Sequence, residues 1–176
     1  MTRPKHPLLF AFAAVCATAT LAACSPAPEP TPTKTPIFAS EEEAFEAAEA
    51  TYQAYTDATN ATNLSDPKTF EPVFDWLTGS AKAAEQRNYS FYYAEGVRRS
   101  GITSIDTFTP IKFEVNKVEA KLCADVSNVD LIDSGGRSLL PTGRATRVPI
   151  GVIFVGAPTS TGLWIQSNYR PEDFKC

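Results

Sequence analysis

The spacing of the apolar residues changes at Gly101, and this change limits the folds that the chain can adopt. Before Gly101, apolar residues recur every three or four positions, as in a helix with one buried face. After it, apolar and polar residues alternate, as in a half-buried strand. Helices followed by strands predict an α+β fold, in which N-terminal helices pack on a curved, four-stranded antiparallel sheet.

Three helical segments are predicted before this change. Ser40 and Glu43 form a capping box, which begins a helix that ends near residue 62. Its buried face is expected to consist of Phe45, Ala48, Tyr52, Tyr55 and Thr59. Asp66 and Pro67 begin a second helix, which Pro72 should split because proline has no backbone N–H to donate.

A third helix is predicted over 80–95, and Gly96 should end it. The aromatic residues of its last turns are expected to belong to the core rather than to a ligand pocket, because aromatic side chains beside a sheet are usually buried. These residues are Tyr89, Phe91, Tyr92 and Tyr93.

Four strands are predicted after the change in spacing. In the first strand, Ile111, Phe113 and Val115 should point inward. In the second, apolar residues occupy even positions over 118–126 and odd positions from Val129, so a β-bulge is expected between them. The remaining segments are a loop and two strands, at 133–146, 147–155 and 162–169.

The N-terminus resembles the leader of a bacterial lipoprotein. Arg3 and Lys5 precede an uncharged apolar run, and Leu21-Ala22-Ala23-Cys24 resembles the lipobox at which a leader is cut and the cysteine is lipidated. The run is shorter than the roughly 20 residues of a transmembrane helix, and an ordinary secretory signal cut near Ala23 is the alternative. We expect a signal peptide at 1–23 and a diacylated Cys24, which would anchor the mature chain in the cell membrane, on its extracytoplasmic face.

A spacer is predicted between this anchor and the folded part of the chain. Within 24–36, proline occupies positions 26, 28, 30, 32 and 36, which favours an extended polyproline II conformation. At about 3.1 Å per residue, the twelve residues at 25–36 would hold the domain roughly 37 Å from the anchor at Cys24. One α+β domain is expected over 37–176.

The chain is acidic, with 16 basic and 20 acidic residues. Removal of the leader would also remove Arg3, Lys5 and His6, the last of which is the only histidine. An acidic surface argues against nucleic acid as a partner, and a mature chain without histidine lacks the usual general base for neutral pH. We expect no cofactor and no metal site.

Two cysteines remain once Cys16 is assigned to the leader and Cys24 to the anchor. In an oxidising compartment, Cys123 and Cys176 are predicted to form one disulfide bond. Two free thiols are the alternative, and the wide separation of these cysteines fits no metal site.

The predicted order of one long helix, shorter helices and four strands resembles the nuclear transport factor 2-like cone. The sequence is similar to the small, tethered lipoproteins of Gram-positive bacteria that carry such a domain. The resemblance rests on the lipobox, the Pro/Thr-rich spacer, the segment at 37–44 and Arg147-Val148-Pro149-Ile150. It implies no functional residue beyond Cys24.

Two groups of polar residues are candidates for catalysis. The run Ser65-Asp66-Pro67-Lys68 matches the Ser-x-x-Lys pattern of penicillin-recognising enzymes, but the companion motifs of that pattern are absent and the residues fit helix caps better. The second group has the residue types that cone-shaped isomerases and dehydratases use, and consists of Asp75, Tyr92, Tyr93 and Trp164.

Catalysis is nevertheless not predicted. Asp75 and Glu95 lie near predicted helix ends and should be exposed. Large apolar side chains should fill the cone, namely Phe45, Tyr52, Phe74, Leu122, Val152 and Phe154. The arginines are expected to form a solvated loop face or a contact for an anionic polymer, and they are Arg98, Arg99, Arg137, Arg144 and Arg147.

The sequence therefore predicts a membrane-anchored, extracytoplasmic and non-catalytic binding or interaction module of the cell envelope. Its partner would be an envelope protein or a small ligand of unknown identity. The alternative is a small isomerase, dehydratase or hydrolase that uses Asp and Tyr in a cone-shaped pocket.

Overall fold

The computed structural model describes residues 36–176. The predicted signal peptide, Cys24 and the spacer up to residue 35 lie outside the described residues. Within 36–176, no helix combines the length and the apolar character that crossing a membrane requires.

The helices lie close to their predicted positions. Ser40 Oγ accepts a hydrogen bond from the Glu43 N–H at 3.1 Å, and Glu43 Oε2 accepts one from the Ala39 N–H at 2.8 Å, which together form the capping box. Pro72 stands in the first turn of a separate short helix, so the predicted split is present. The helical segments are α1 Glu41–Ala61, a 3₁₀ turn Pro67–Thr69, α2 Glu71–Phe74 and α3 Gly79–Ala94.

The strands form two antiparallel sheets. The strands are β1 Arg98–Ser100, β2 Ser104–Glu114, β3 Lys117–Asp125, β4 Asp130–Ile132, β5 Arg147–Gly156 and β6 Leu163–Tyr169. The main sheet has the order β2-β3-β5-β6, and β1 pairs with β4 in a separate two-stranded sheet. Because the helices pack on one face of the four-stranded sheet, the predicted α+β fold is confirmed.

The bulge predicted between 126 and 129 is wrong. The chain turns there, with the Val129 N–H donating to the Val126 carbonyl oxygen at 3.1 Å, and then enters the two-stranded sheet. Gly101 packs against this turn, since a Cβ at that position would lie 1.8 Å from the Asn128 carbonyl oxygen. The apolar residues change parity because the strand ends and another sheet begins.

The inward positions predicted for the first strand are also partly wrong. Phe113 packs on the core, but Ile111 is 45% exposed and Val115 is 47% exposed. β2 changes its register against β3 at two places, one of them between Pro110 and Lys112. A shift of one residue moves side chains to the opposite face, so simple alternation fails in this strand.

The core lies between the helices and the main sheet. Five of the predicted core side chains are buried there, namely Tyr52, Phe74, Leu122, Val152 and Phe154. Phe45 is only partly buried, because α1 places Ala44 and Ala48 against the sheet instead. The assignment of Phe45 to the interior of the cone is therefore wrong.

The aromatic residues of α3 divide between the core and the surface. Tyr89 is buried and stacks on Phe70 with ring centroids 4.9 Å apart. Phe91 is 56% exposed and Tyr93 is 52% exposed, so their assignment to the core is wrong. Consecutive residues of a helix point in different directions, and only one side of α3 faces the sheet.

The C-terminal strap, residues 170–176, lies against the other face of the main sheet. Cys123 of β3 forms the predicted disulfide with Cys176, with a Cα–Cα distance of 5.8 Å. Lys121 Nζ lies 2.6 Å from Asp173 Oδ1, which fixes the middle of the strap. The last residues of the chain are thereby held to the sheet covalently and by charge.

Candidate functional site

The structure places one carboxylate beside the tyrosines of the core. The Tyr55 hydroxyl of α1 donates a hydrogen bond to Glu85 Oε1 of α3 at 2.7 Å. The Tyr52 ring meets the Tyr55 ring edge to face, with centroids 5.4 Å apart. We call Tyr55 and Glu85 the Tyr55–Glu85 pair, and Tyr52 is its neighbour.

Burial sets the protonation of these hydroxyls. It raises the pKa of Tyr52 and of Tyr55 above the usual value for tyrosine, and the negative charge of Glu85 raises both further. Both hydroxyls are therefore protonated at neutral pH, and that of Tyr55 donates a hydrogen bond to Glu85. A tyrosine donor beside a carboxylate is a combination that can transfer a proton, provided that a substrate reaches it.

The four grooves described below do not lead to this pair. Neither Tyr55 nor Glu85 lines any of these four grooves, all of which open on the described part of the chain. The pair instead joins α1 to α3 at the top of a filled core. Its observed geometry is that of a link between two helices.

Sequence reasoning missed Glu85, although the pattern of α3 contains a signal for it. Ala81, Glu85, Tyr89 and Tyr92 lie on one side of the helix at spacings of three and four. An acid inside an otherwise apolar stripe requires a hydrogen-bonding partner. The tyrosines of α1 were the available donors.

The residues proposed for catalysis do not form one site. Asp75 and Glu95 are exposed, as predicted. The Trp164 indole N–H donates to the Asp75 backbone carbonyl at 3.0 Å, so these two residues are neighbours. Tyr92 and Tyr93 lie on α3 and line none of the four grooves.

The Ser-x-x-Lys run has the capping role expected for it. Asp66 Oδ1 accepts a hydrogen bond from the Lys68 N–H at 3.1 Å. The Ser65 N–H donates to Asn63 Oδ1 at 3.0 Å, and both Ser65 and Lys68 are exposed. No contact between the serine hydroxyl and the lysine amine occurs among the described hydrogen bonds.

Several of the arginines stabilise loops rather than form a free basic surface. Arg99 donates to the Thr59 carbonyl at 2.8 Å, and Arg144 donates to the Val126 and Val129 carbonyls at 2.7 and 2.6 Å. Arg147 binds both carboxylate oxygens of Asp106 at 2.7 Å. Arg99 and Arg144 are only partly exposed, so the expectation of a solvated arginine face is wrong for these two residues, whereas Arg147 is exposed as expected.

The acidic groove is the largest of the four by volume, about 690 Å³, and lies between the start of α1 and β2. Its apolar floor consists of Phe45, Phe108 and Pro110. Four exposed glutamates form its rim, and they are Glu41, Glu42, Glu46 and Glu49. None of them takes part in an ion pair within residues 36–176.

The tryptophan groove has a volume of about 430 Å³ and lies beside α2 and β6, the edge strand of the main sheet opposite β2. It contains both tryptophans of the chain, Trp76 and Trp164. Its other lining residues are Pro72, Asp75, Pro158, Thr159 and Ser160.

Across the described residues, no group of three or more His, Cys, Asp or Glu side chains is arranged to hold a metal ion.

Comparisons with known proteins bear on the fold alone. No protein-family model matches the sequence, and no curated protein matches it either. A structure from Novosphingobium aromaticivorans, assigned as an aromatic ring hydroxylase, is 14% identical with a TM-score of 0.50, over 73% of this chain and 88% of that one. This likeness agrees with the nuclear transport factor 2-like cone expected from the order of helices and strands.

Two further solved structures match with lower TM-scores. A protein from Catenulispora acidiphila, in complex with S-DNPA, is 12% identical with a TM-score of 0.48, over 73% of this chain and 92% of that one. The VirB8 protein of Agrobacterium tumefaciens is 12% identical with a TM-score of 0.44, over 78% of this chain and 97% of that one.

Proposed function

We propose that this protein is a lipid-anchored, extracytoplasmic and non-catalytic binding module, which docks on a neighbouring envelope protein through the acidic groove. The observation that carries the proposal is the combination of an apolar floor with a rim of four exposed glutamates. The complementary partner is a segment that carries apolar side chains flanked by Lys or Arg.

Helix stability explains only part of this acidic rim. Glu41 and Glu42 lie in the first turn of α1, where negative charge interacts favourably with the helix dipole. Glu46 and Glu49 lie beyond the first turn, where that effect has decayed. Their charge stays exposed beside Phe45, which suits them to attract a cationic partner.

The interior supports a binding role over catalysis. Phe154, Leu122 and Val152 are fully buried, and the Tyr55–Glu85 pair lines none of the four grooves. Catalysis by this pair requires a path for the substrate as well as the two groups. The side chains that a ligand or partner can reach in these grooves therefore lie on the surface of the domain.

Site-specific photocrosslinking in intact cells tests the docking surface. A photoreactive phenylalanine analogue in place of Glu42, in the full-length chain, should give one adduct of defined mass. The same analogue at Gln86, which is exposed on α3 and lines none of the four grooves, is the matched control. Equal adducts from both positions would contradict the proposal.

Charge dependence provides the second arm of this experiment. With the crosslinker at Glu42, the double substitution Glu46→Gln and Glu49→Gln should reduce the adduct about threefold or more, because it removes two of the three glutamate charges that remain on the rim. Raising the salt concentration should reduce it as well. An adduct that depends on neither change would rule out recognition by charge.

The anchor is tested separately at Cys24. The motivating observation is the run Leu21-Ala22-Ala23-Cys24 after a short apolar segment. Replacing Cys24 with Ala should release the protein into the medium or leave its precursor uncut, and should abolish labelling by an alkyne fatty acid. A variant that is processed and retained like the wild type would show that Cys24 is not the anchor.

A small isomerase, dehydratase or hydrolase is the second candidate, and the 2.7 Å contact between Tyr55 and Glu85 favours it. Nitration of tyrosine in the folded protein, mapped by mass spectrometry, distinguishes the two functions. A binding module with a filled interior should be nitrated at Tyr93, which is 52% exposed, well before Tyr55, which is 8% exposed. Early nitration of Tyr55 would reveal an open interior and favour the enzyme.

A further inference from the structure

The tryptophan groove is a second and independent site, built from two separate parts of the chain. Trp76 follows α2, and Trp164 lies in β6. The Ile165 N–H donates to the Trp76 carbonyl at 2.9 Å, and the Thr78 N–H donates to the Ile165 carbonyl at 2.9 Å. The segment after α2 is thereby held alongside β6, so both walls of the groove are fixed to the sheet.

Two of the polar groups of this groove are already occupied within the protein. The Trp164 indole N–H donates to the Asp75 carbonyl at 3.0 Å, which fixes the orientation of that ring. The Thr159 hydroxyl donates to the Leu163 carbonyl at 2.9 Å and accepts from the Leu163 N–H at 3.0 Å. Neither group is left to recognise a ligand.

The groups that remain define the ligand. The Asp75 carboxylate is exposed and makes no hydrogen bond or ion pair through its side chain with the described residues. It is the only charged residue in the lining. The other free surfaces are the two indole rings, two prolines and the Ser160 hydroxyl.

We propose that the tryptophan groove binds an organic cation of the quaternary ammonium type. Indole rings attract such a cation through their electron-rich faces, and a single carboxylate supplies the counter-charge. A sugar would present several hydroxyls to a lining that has few free hydrogen-bonding groups, and unpaired polar groups oppose binding. An anion would be repelled by Asp75 and by the acidic chain as a whole.

Intrinsic fluorescence tests this site directly, because both tryptophans of the chain line the groove. Titration of the purified protein with choline should give a saturable change, with a dissociation constant of about 1 to 10 mM. The neutral isostere 3,3-dimethyl-1-butanol has the same shape without the charge. It should bind at least about fivefold more weakly.

Substitutions locate the binding within the groove. Asp75→Asn keeps the backbone carbonyl that orients Trp164 and removes the counter-charge, so it should weaken choline binding about five- to tenfold. Trp76→Phe leaves Trp164 as the reporter and should weaken binding about threefold. Glu172→Gln, at an exposed acid that lines none of the four grooves, should leave it unchanged.

Three results would contradict binding of a quaternary ammonium cation in the tryptophan groove. Equal binding of choline and its neutral isostere, an affinity unchanged in Asp75→Asn, or no saturable fluorescence change up to about 100 mM choline would each overturn the proposal. Because the acidic groove is a different surface, failure here leaves the proposed docking function untouched. Loss of the crosslink at Glu42 would likewise leave choline binding in place.

Discussion

The two faces of the main sheet are stabilised by different kinds of interaction. On the helix-covered face, Val118, Leu122 and Phe154 are fully buried among apolar neighbours. On the outer face, the next residues along the same strands form specific links, such as Lys121 to Asp173 and Cys123 to Cys176. The inner face depends on buried area, whereas the outer face depends on a few contacts between residues distant in the sequence.

The outer links form a connected set. Arg147 of β5 binds Asp106 of β2 and also donates to the Cys176 carbonyl at 2.7 Å. The Tyr169 hydroxyl donates to Glu119 Oε1 at 2.6 Å, crossing over Gly151 of the intervening strand. We therefore expect the outer face to be sensitive to reduction of the disulfide and to pH, and the inner face to be sensitive mainly to the loss of side-chain volume.

The largest expected effect belongs to the inner face. Phe154→Ala removes a side chain that is 0% exposed, and should lower the free energy of unfolding by about 3–5 kcal/mol because it leaves a cavity. Urea denaturation measures the change. Ile153→Ala, at the next position on the outer face, is the matched control and should cost less than about half as much. Equal costs would refute the contrast between the two faces.

The disulfide is expected to contribute most on the outer face. Cys176→Ser opens a link between residues 53 positions apart, and should lower the free energy of unfolding by about 4 kcal/mol, with strain able to reduce this value. The wild type in reducing buffer should show the same urea midpoint as the variant in either buffer. A variant as stable as the oxidised wild type would show that the strap does not depend on this bond.

A methyl group at Gly151 should disturb the outer face alone. An added Cβ would lie 2.1 Å from Tyr169 Cζ, so Gly151→Ala must displace that ring, at a cost of about 1–3 kcal/mol. Burial, together with the hydrogen bond to Glu119, raises the pKa of Tyr169 to about 12. Ultraviolet titration should therefore show a lower pKa for Tyr169 in the variant. Tyr169→Phe identifies that titration, and an unchanged value in Gly151→Ala would contradict the contact.

The smallest expected effect is the pH dependence of the exposed pair between Asp106 and Arg147. Hydrogen bonds from Arg147 lower the pKa of Asp106. A lowered pKa in the folded state adds stability above the ordinary pKa near 3.8, and this stability is lost as the pH falls through the lowered value. Asp106→Asn should therefore lower Tm slightly at pH 7, and the difference between the two proteins should begin to shrink below about pH 4 as the pH falls toward the lowered pKa.

Thermal unfolding between pH 3 and pH 7 measures this convergence. Glu95→Gln is the control, because Glu95 is exposed and makes no ion pair within the described residues. A constant difference between wild type and Asp106→Asn at every pH would show that the pair contributes no linked stability.

Local patterns were enough to predict much of the inner face. The capping box at Ser40 and Glu43 begins α1, and Gly96 at φ 65° follows the end of α3. The even positions of β3, such as Val118 and Leu122, are buried as their alternation indicates. These features depend on residues only a few positions apart, so a window of the sequence contains the relevant information.

The site residues were predicted less well, for a physical reason that the same residues illustrate. Glu85 finds its partner in Tyr55, 30 positions earlier, and Trp164 finds the Asp75 carbonyl 89 positions away. Phe45 of α1 belongs to the acidic groove because Phe108 of β2, distant in the sequence, completes the same apolar floor. No short-range pattern indicates which distant residue will complete a pair or a groove.

The sequence by itself determined that helices precede strands, the acidic character of α1, the candidate anchor at Cys24 and the pairing of two remaining cysteines. Only the tertiary structure decided that β1 and β4 form a second sheet, that the strap covers the outer face, and that both tryptophans meet in one groove. The first group follows from local backbone preferences and residue chemistry. The second follows from chain closure over long separations, where packing of the whole domain selects the contacts.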